Sequence, residues 1–239
     1  MKIALLYPPP WKIPLPDEVL PFAAEGPPAE YAEGDLDADF YQLPYGLLTL
    51  GSEAIERGHQ VKIFNLSSWA WTRVEEVIQE LDADVFGMSC WTANRRGVAY
   101  LSELIKKLHP QATTIIGGPH ATPFAVQLLE RHAGIDLVAR GESEDTFLEV
   151  LDRLQNGIDL AGIPGTAFRV GDEVRLAESR SAIRKLDVLT SPQRYFSTHI
   201  LMTSRGCPWQ CTFCGAETTW GRGFRGHSVE YVVDAIEAA

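Results

Sequence analysis

Thr113-Thr-Ile-Ile-Gly117-Gly-Pro-His120 is a short apolar run, rich in β-branched residues, that breaks into a glycine pair. A run of that length bounded by turn residues reads as a strand buried on both faces. Pro123–His132 then reads as a short helix. The same unit recurs upstream. Ile3–Tyr7, Val61–Leu66 and Val85–Cys90 read as strands. Gly46–Arg57 reads as a helix ended by Gly58. Val74, Val77, Ile78 and Leu81 share one face of a helix, and Val98, Leu101, Ile105 and Leu108 mark another, stopped by Pro110. Downstream come a strand at Leu137–Arg140 and a helix through Phe147, Leu148, Leu151 and Leu154, ended by Gly157.

Five strands alternating with helices predict an α/β fold. The expectation is a doubly wound, five-stranded parallel sheet of flavodoxin/Rossmann-like order, with right-handed crossovers. Ligands of such sheets bind beyond the carboxyl ends of the strands. The loops there hold Pro9 after the first strand, Ser89, Cys90, Trp91 and Thr92 after the third, Gly117, Gly118, Pro119 and His120 after the fourth, and Gly141 and Glu142 after the fifth. Small residues let a bulky ligand approach the backbone, Ser89 and Thr92 offer hydroxyls, and Trp91 offers a stacking face. Taken singly, each loop also reads as an ordinary βα turn, and Cys90 as a small buried residue.

The 239 residues carry 45% hydrophobic and 22% charged side chains, which fits a folded chain. The net charge of −11 argues against nucleic acid as the main partner. No apolar run is long enough to span a bilayer. Residues 1–157 form the expected first domain, with a long acidic, proline-rich loop at about 8–44. Thr166–Val170 and Val174–Leu176 predict a β-hairpin across Gly171-Asp172, within a linker over 158–198. His199–Thr203 reads as a new strand, and Ser228 as the N-cap of a helix through Val229, Val232, Val233 and Ile236.

Cys207-Pro-Trp-Gln-Cys211-Thr-Phe-Cys214 places three of the four cysteines within eight residues. Such clustering is the mark of a metal site in a reducing cytoplasm rather than of a disulfide framework. Three thiolates suit a 4Fe–4S cluster with one open iron. Zinc is a rival if Cys90, His199 or His227 supplies a fourth ligand, but the spacing favours iron–sulfur. Gly221-Arg-Gly-Phe-Arg-Gly226 fits a dinucleotide pattern by letter only, because no βαβ unit surrounds it. Arg205, Arg222 and Arg225 read as solvated side chains, or as contacts to an anion or to acidic residues.

The cysteine motif resembles the signature of radical S-adenosylmethionine (SAM) enzymes, together with Phe213, Thr203-Ser-Arg-Gly-Cys207-Pro and Trp220-Gly-Arg-Gly-Phe-Arg225. Leu43-Pro-Tyr-Gly-Leu-Leu48, Gly117-Gly-Pro-His-Ala121 and Arg140-Gly-Glu-Ser-Glu-Asp-Thr-Phe147 are similar to stretches of the cobalamin-binding subclass. The resemblance implies that Cys207, Cys211 and Cys214 ligate the cluster, that its open iron chelates SAM, and that backbone near Phe213 lies by the adenine. It implies reductive cleavage of SAM to a 5′-deoxyadenosyl radical, and a corrin on the strand-end loops facing the cluster.

It further implies methylation of an unactivated carbon on a small-molecule or peptide substrate, with a flavodoxin or ferredoxin as reductant, in the cytoplasm. No D-x-H-x-x-G motif is present, so cobalamin is expected without a histidine axial ligand, and His120 is expected at a helix entry. Residues 199–239 match only the first βα unit of the radical SAM barrel. The expectation is therefore an N-terminal portion that does not turn over alone. A non-methylating oxidative or ring-forming reaction, and a corrinoid-binding module with structural zinc, are the competing functions.

Overall fold

The computed structural model describes residues 1–9, 30–31, 45–198 and 200–239. Most of the expected acidic loop, and His199, lie outside them. The parallel strands are β1 (Lys2–Tyr7), β3 (Gln60–Asn65), β4 (Val85–Ser89), β5 (Thr113–Gly117) and β6 (Leu137–Ala139). They lie in the order β3-β1-β4-β5-β6, which is the flavodoxin-like order. Ile3 pairs with Val61 on one side and Val85 on the other, and Ser89 pairs with Gly117.

Side-chain alternation along each strand divides the core in two. Ala4 and Leu6 of β1, Phe64 of β3, and Phe86 and Met88 of β4 face α2 (Trp71–Glu80), α3 (Arg95–Leu108) and α4 (Ala125–Arg131). Leu5, Ile63, Val85 and Ile115 face α1 (Tyr45–Glu56) and α5 (Glu144–Gln155). Both faces are covered, so the strands carry continuous apolar runs.

The sheet is larger than the five parallel strands expected: among the described residues, eight strands belong to it. β7 (Thr166–Val170) and β8 (Glu173–Leu176) form the expected hairpin and add antiparallel to β6. β2 (Glu30–Tyr31) adds antiparallel to β3. An unpaired edge exposes backbone donors and acceptors, and these additions cover both ends of the parallel array.

The stretch expected as a linker also packs down. Phe196 is buried against α1, where Gly51 leaves room for it. Thr190 N donates to Glu53 Oε1 at 2.5 Å, and Tyr195 Oη donates to Glu56 Oε1 at 2.6 Å.

Beyond it, the strand expected at 199–203 is not formed by residues 200–203. The pairing falls one step later and is antiparallel, between β9 (Ser204–Arg205) and β10 (Arg225–Gly226). A strand is defined by its ladder partner, and here the partner is the returning arm of the cysteine segment. The short helix α6 (Ala216–Trp220) lies between these strands, and α7 (Val229–Ala238) follows them. Ser228 caps α7 as expected: its Oγ accepts from Tyr231 N at 3.1 Å.

Candidate functional site

At the carboxyl ends of the parallel strands the βα loops are stitched to one another. Asn94, fully buried, donates from Nδ2 to Ser89 O at 3.0 Å and to Pro8 O at 3.4 Å, and accepts from Trp91 N at 2.7 Å. Cys90 N donates to Gly117 O at 2.8 Å, and His120 N donates to Cys90 O at 3.0 Å. Gly141 N donates to Thr122 Oγ1 at 3.0 Å. Gly118 has φ +100°, and a Cβ there would lie 2.9 Å from Cys90 O. Only glycine permits that turn and that approach together.

These loops floor a cavity of about 630 Å³. Its walls include Ser89, Trp91, Gly117, Gly118, Pro119, Gly141 and Glu142, seven of the eleven positions expected to bind a ligand. The roof comes from elsewhere: Ile200, Met202, Thr219 and Trp220 of the cysteine segment, and Tyr45, Leu47 and Leu50 of α1. The lining is largely apolar, with Trp91 half exposed into it.

Four expected positions do not line the cavity. Pro9 is buried, its carbonyl close against Gly97 of α3. Cys90 is fully buried in the core, and burial pushes its thiol up to about 12. Thr92 Oγ1 bonds to His120 Nδ1 at 3.1 Å, and the His120 ring packs on Phe124. Burial, with Arg95 nearby, holds His120 below its ordinary value.

The cysteine segment is anchored by charge. Arg205 is 5% exposed rather than solvated. Its Nη2 lies 2.7 Å from Glu144 Oε1, its Nη1 lies 3.7 Å from Glu142 Oε1, and its guanidinium lies 5.1 Å from the Trp220 ring centre. Arg225 Nη1 donates to Glu142 Oε2 at 2.8 Å and to Ile183 O at 2.6 Å. Arg225 Nη2 lies 2.7 Å from Glu142 Oε1 but off the hydrogen-bond direction, and it donates to Trp220 O at 3.0 Å. Ile183 N also donates to Glu142 Oε2, at 2.7 Å. The expectation of solvated arginines therefore fails at these two positions, because both complete buried carboxylates. Arg222 remains exposed and pairs with Glu217.

Cys207 is half-buried, Cys211 and Cys214 are exposed, and all three are free thiols. Cys214 N donates to Cys211 O at 3.1 Å, and Gly223 N to Cys207 O at 3.4 Å. Gly206, at φ +84°, brings the chain so close that a Cβ would lie 2.2 Å from Gly223 O. Three thiols on one short loop have the donor chemistry of an iron–sulfur site. Among the described residues no three His, Cys, Asp or Glu side chains converge to hold a metal.

Two of the three fourth ligands considered for zinc are engaged elsewhere, and the third, His199, lies outside the described residues. Cys90 lies in the core, and His227 bonds to Asp187 and stacks on Tyr231. Phe213 and Trp209 on the cysteine loop are among the most exposed apolar side chains described. No helix among the described residues is long and apolar enough to cross a membrane.

The family described as "B12 binding domain" matches residues 37–151. The uncharacterized methyltransferase PH0819 of Pyrococcus horikoshii is 32% identical over 207 residues, covering 81% of this chain and 45% of the relative. Residues 37–151 of this chain thus carry a B12 binding domain.

A second relative, the cobalamin-dependent radical SAM methyltransferase TokK of Streptomyces tokunonensis, is 28% identical over 87% of this chain and 33% of its own length. The solved structure of the radical SAM methyltransferase TsrM from Kitasatospora setae shares the fold. Its TM-score is 0.70 at 16% identity, over 99% of this chain and 45% of that one. The chain thus spans half or less of the length of these relatives.

Sequence reasoning does not name Asn94 or Thr122, and it does not pair Arg205 with Glu144 or Arg225 with Glu142. Asn94 and Thr122 have a faint signal as polar residues just beyond strand-end loops, whereas the Glu–Arg pairing spans 61 to 83 residues and leaves no local pattern.

Proposed function

We propose that this chain is the cobalamin- and cluster-binding portion of a radical SAM enzyme that methylates an unactivated carbon. The observation that carries the proposal is the shared cavity: its floor is the strand-end loops and its roof is the segment that follows and precedes the cysteines. Glycine loops against an apolar chamber fit a flat, bulky corrin, and the three thiols fit the cluster by donor type. With these groups bound, they supply methyl donation and reductive cleavage of SAM.

The protein's residues do the rest. Trp91, Gly118 and Pro119 present a surface against which a macrocycle can lie. Tyr45, Leu47 and Leu50 exclude water from one side. Cys207, Cys211 and Cys214 hold iron, and the exposed backbone near Phe213 receives SAM. His120 is held by Thr92 and Phe124 outside the cavity, which supports cobalamin bound without a protein imidazole. The substrate is a small molecule or peptide, and an electron donor such as a flavodoxin or ferredoxin serves the cluster in the cytoplasm.

Anaerobic reconstitution with iron and sulfide, followed by cobalamin addition, tests this reading. About four irons and four sulfides per chain and one equivalent of retained cobalamin are expected. One zinc without sulfide contradicts the cluster. Nitrogen superhyperfine splitting from a protein imidazole in the cob(II)alamin paramagnetic resonance spectrum contradicts the axial assignment. Methyl transfer from labelled SAM by the full-length protein separates methylation from cyclase-type chemistry.

A further inference from the structure

The junction between the cysteine segment and the loop after β6 contains polar atoms that the chain does not satisfy. Glu144 Oε2 and Thr219 Oγ1 are buried without a hydrogen-bond partner. Arg205 Nε and Nη1 are buried likewise, although Nη1 lies near Glu142. Leaving such groups unpaired costs roughly 1–3 kcal/mol each. Glu144 and Thr219 both line the cavity, one from the first turn of α5 and one from α6. Glu144 also holds Arg205, which stands two residues before Cys207. Gly206, between them, lies so close to Gly223 that an added Cβ would meet its carbonyl oxygen at 2.2 Å.

We propose that a ligand in the cavity completes this junction by donating to Glu144 Oε2 and bonding Thr219 Oγ1, and that its binding thereby fixes the geometry of the Cys207–Cys214 loop. The ligand class is a bulky group bearing amide N–H donors. The inference rests on the corrinoid reading of the cavity, where peripheral amides supply that chemistry. Arg205 is then a positioning residue that acts through Glu144. Linkage makes the effect reciprocal: whatever orders the cysteine loop tightens binding in the cavity.

The test is hydrogen–deuterium exchange on the 239-residue chain, reduced and without iron, with and without hydroxocobalamin. Binding is scored separately by co-elution in gel filtration. Bound corrinoid is expected to slow exchange across residues 204–220 by on the order of tenfold. The Glu144→Gln and Thr219→Val variants are expected to retain the fold, shown by β1 and β4 remaining the most protected segments, and to lose most of that slowing. Arg205→Lys is expected to lose more of it than Thr219→Val does. Corrinoid that co-elutes while 204–220 exchanges as before overturns the linkage and leaves the cavity reading intact. Full slowing in both Glu144→Gln and Thr219→Val overturns the assigned atoms. Failure of any corrinoid to co-elute overturns the cavity reading, and the linkage with it.

Discussion

Arg205 Nη2 lies 2.7 Å from Glu144 Oε1, with both side chains more than nine-tenths buried. This pair, with Glu142 and Arg225 beside it, joins the cysteine segment to the edge of the sheet that floors the cavity. Removing one partner of a buried pair leaves an uncompensated charge, at a cost of about 3–5 kcal/mol. Arg205→Met is therefore expected to lower the urea midpoint strongly. Arg205→Met with Glu144→Gln is expected to recover part of the loss. Additive losses in the double variant would show that the two side chains are not coupled.

Gly206→Ala is expected to disrupt the start of the cysteine loop. The position combines φ +84° with a Cβ 2.2 Å from Gly223 O, a backbone atom that has no rotamer with which to retreat. The left-handed conformation alone costs about 1–2 kcal/mol in a non-glycine residue. Faster thiol labelling of Cys207, with unchanged labelling of buried Cys90, is the expected readout. Equal rates in the variant and the parent chain would contradict the close approach.

Phe86→Ala tests the larger core. Phe86 is fully buried on β4 and faces α2 and α3 beside the His109 ring, 5.4 Å away. A loss of about 3–5 kcal/mol is expected from denaturant unfolding. A loss below about 1 kcal/mol would mean that this face of the sheet is not packed as described.

Acid is expected to destabilise the chain from about pH 6.5 downward. Burial is the leading cause that holds His59, His120 and His227 below their ordinary value, and Asp187 opposes it at His227. A group with a depressed pKa binds fewer protons in the folded state than in the unfolded one. Unfolding then takes up protons, and stability falls as pH drops through that window. Asp187, held low by the Ser228 N–H first, then by the Ser228 side chain and His227, adds stability that disappears only at more acid pH. Urea midpoints measured between about pH 7.5 and 5 are expected to decline, with a shallower slope in His227→Gln. A midpoint that rises as the pH falls would contradict these directions.

Much of the fold is legible in the sequence because a doubly covered sheet demands continuous apolar strands and amphipathic helices. Ile3–Tyr7, Thr113–Gly117 and the α3 stripe carry those patterns openly, and the strand order follows from topology. The edge additions are not legible, because docking of the 166–176 hairpin onto β6 depends on an edge left open elsewhere. The same holds at the site. Gly118 and Trp91 lie on strand-end loops and announce themselves. Arg205 and Arg225 look like surface residues until Glu142 and Glu144 arrive from the far side of the chain. Cys90 and His120 sit on the right loops, yet their side chains turn to the core and to Phe124.

The central claim is that the cavity and the cysteine loop form one two-cofactor site. Electron paramagnetic resonance of protein loaded with both cob(II)alamin and the cluster tests it most directly. The account predicts that reducing the cluster speeds relaxation of the cob(II)alamin signal, because the two spins are close. A cob(II)alamin signal that saturates identically with the cluster oxidised and reduced, in protein shown to hold both, would contradict it.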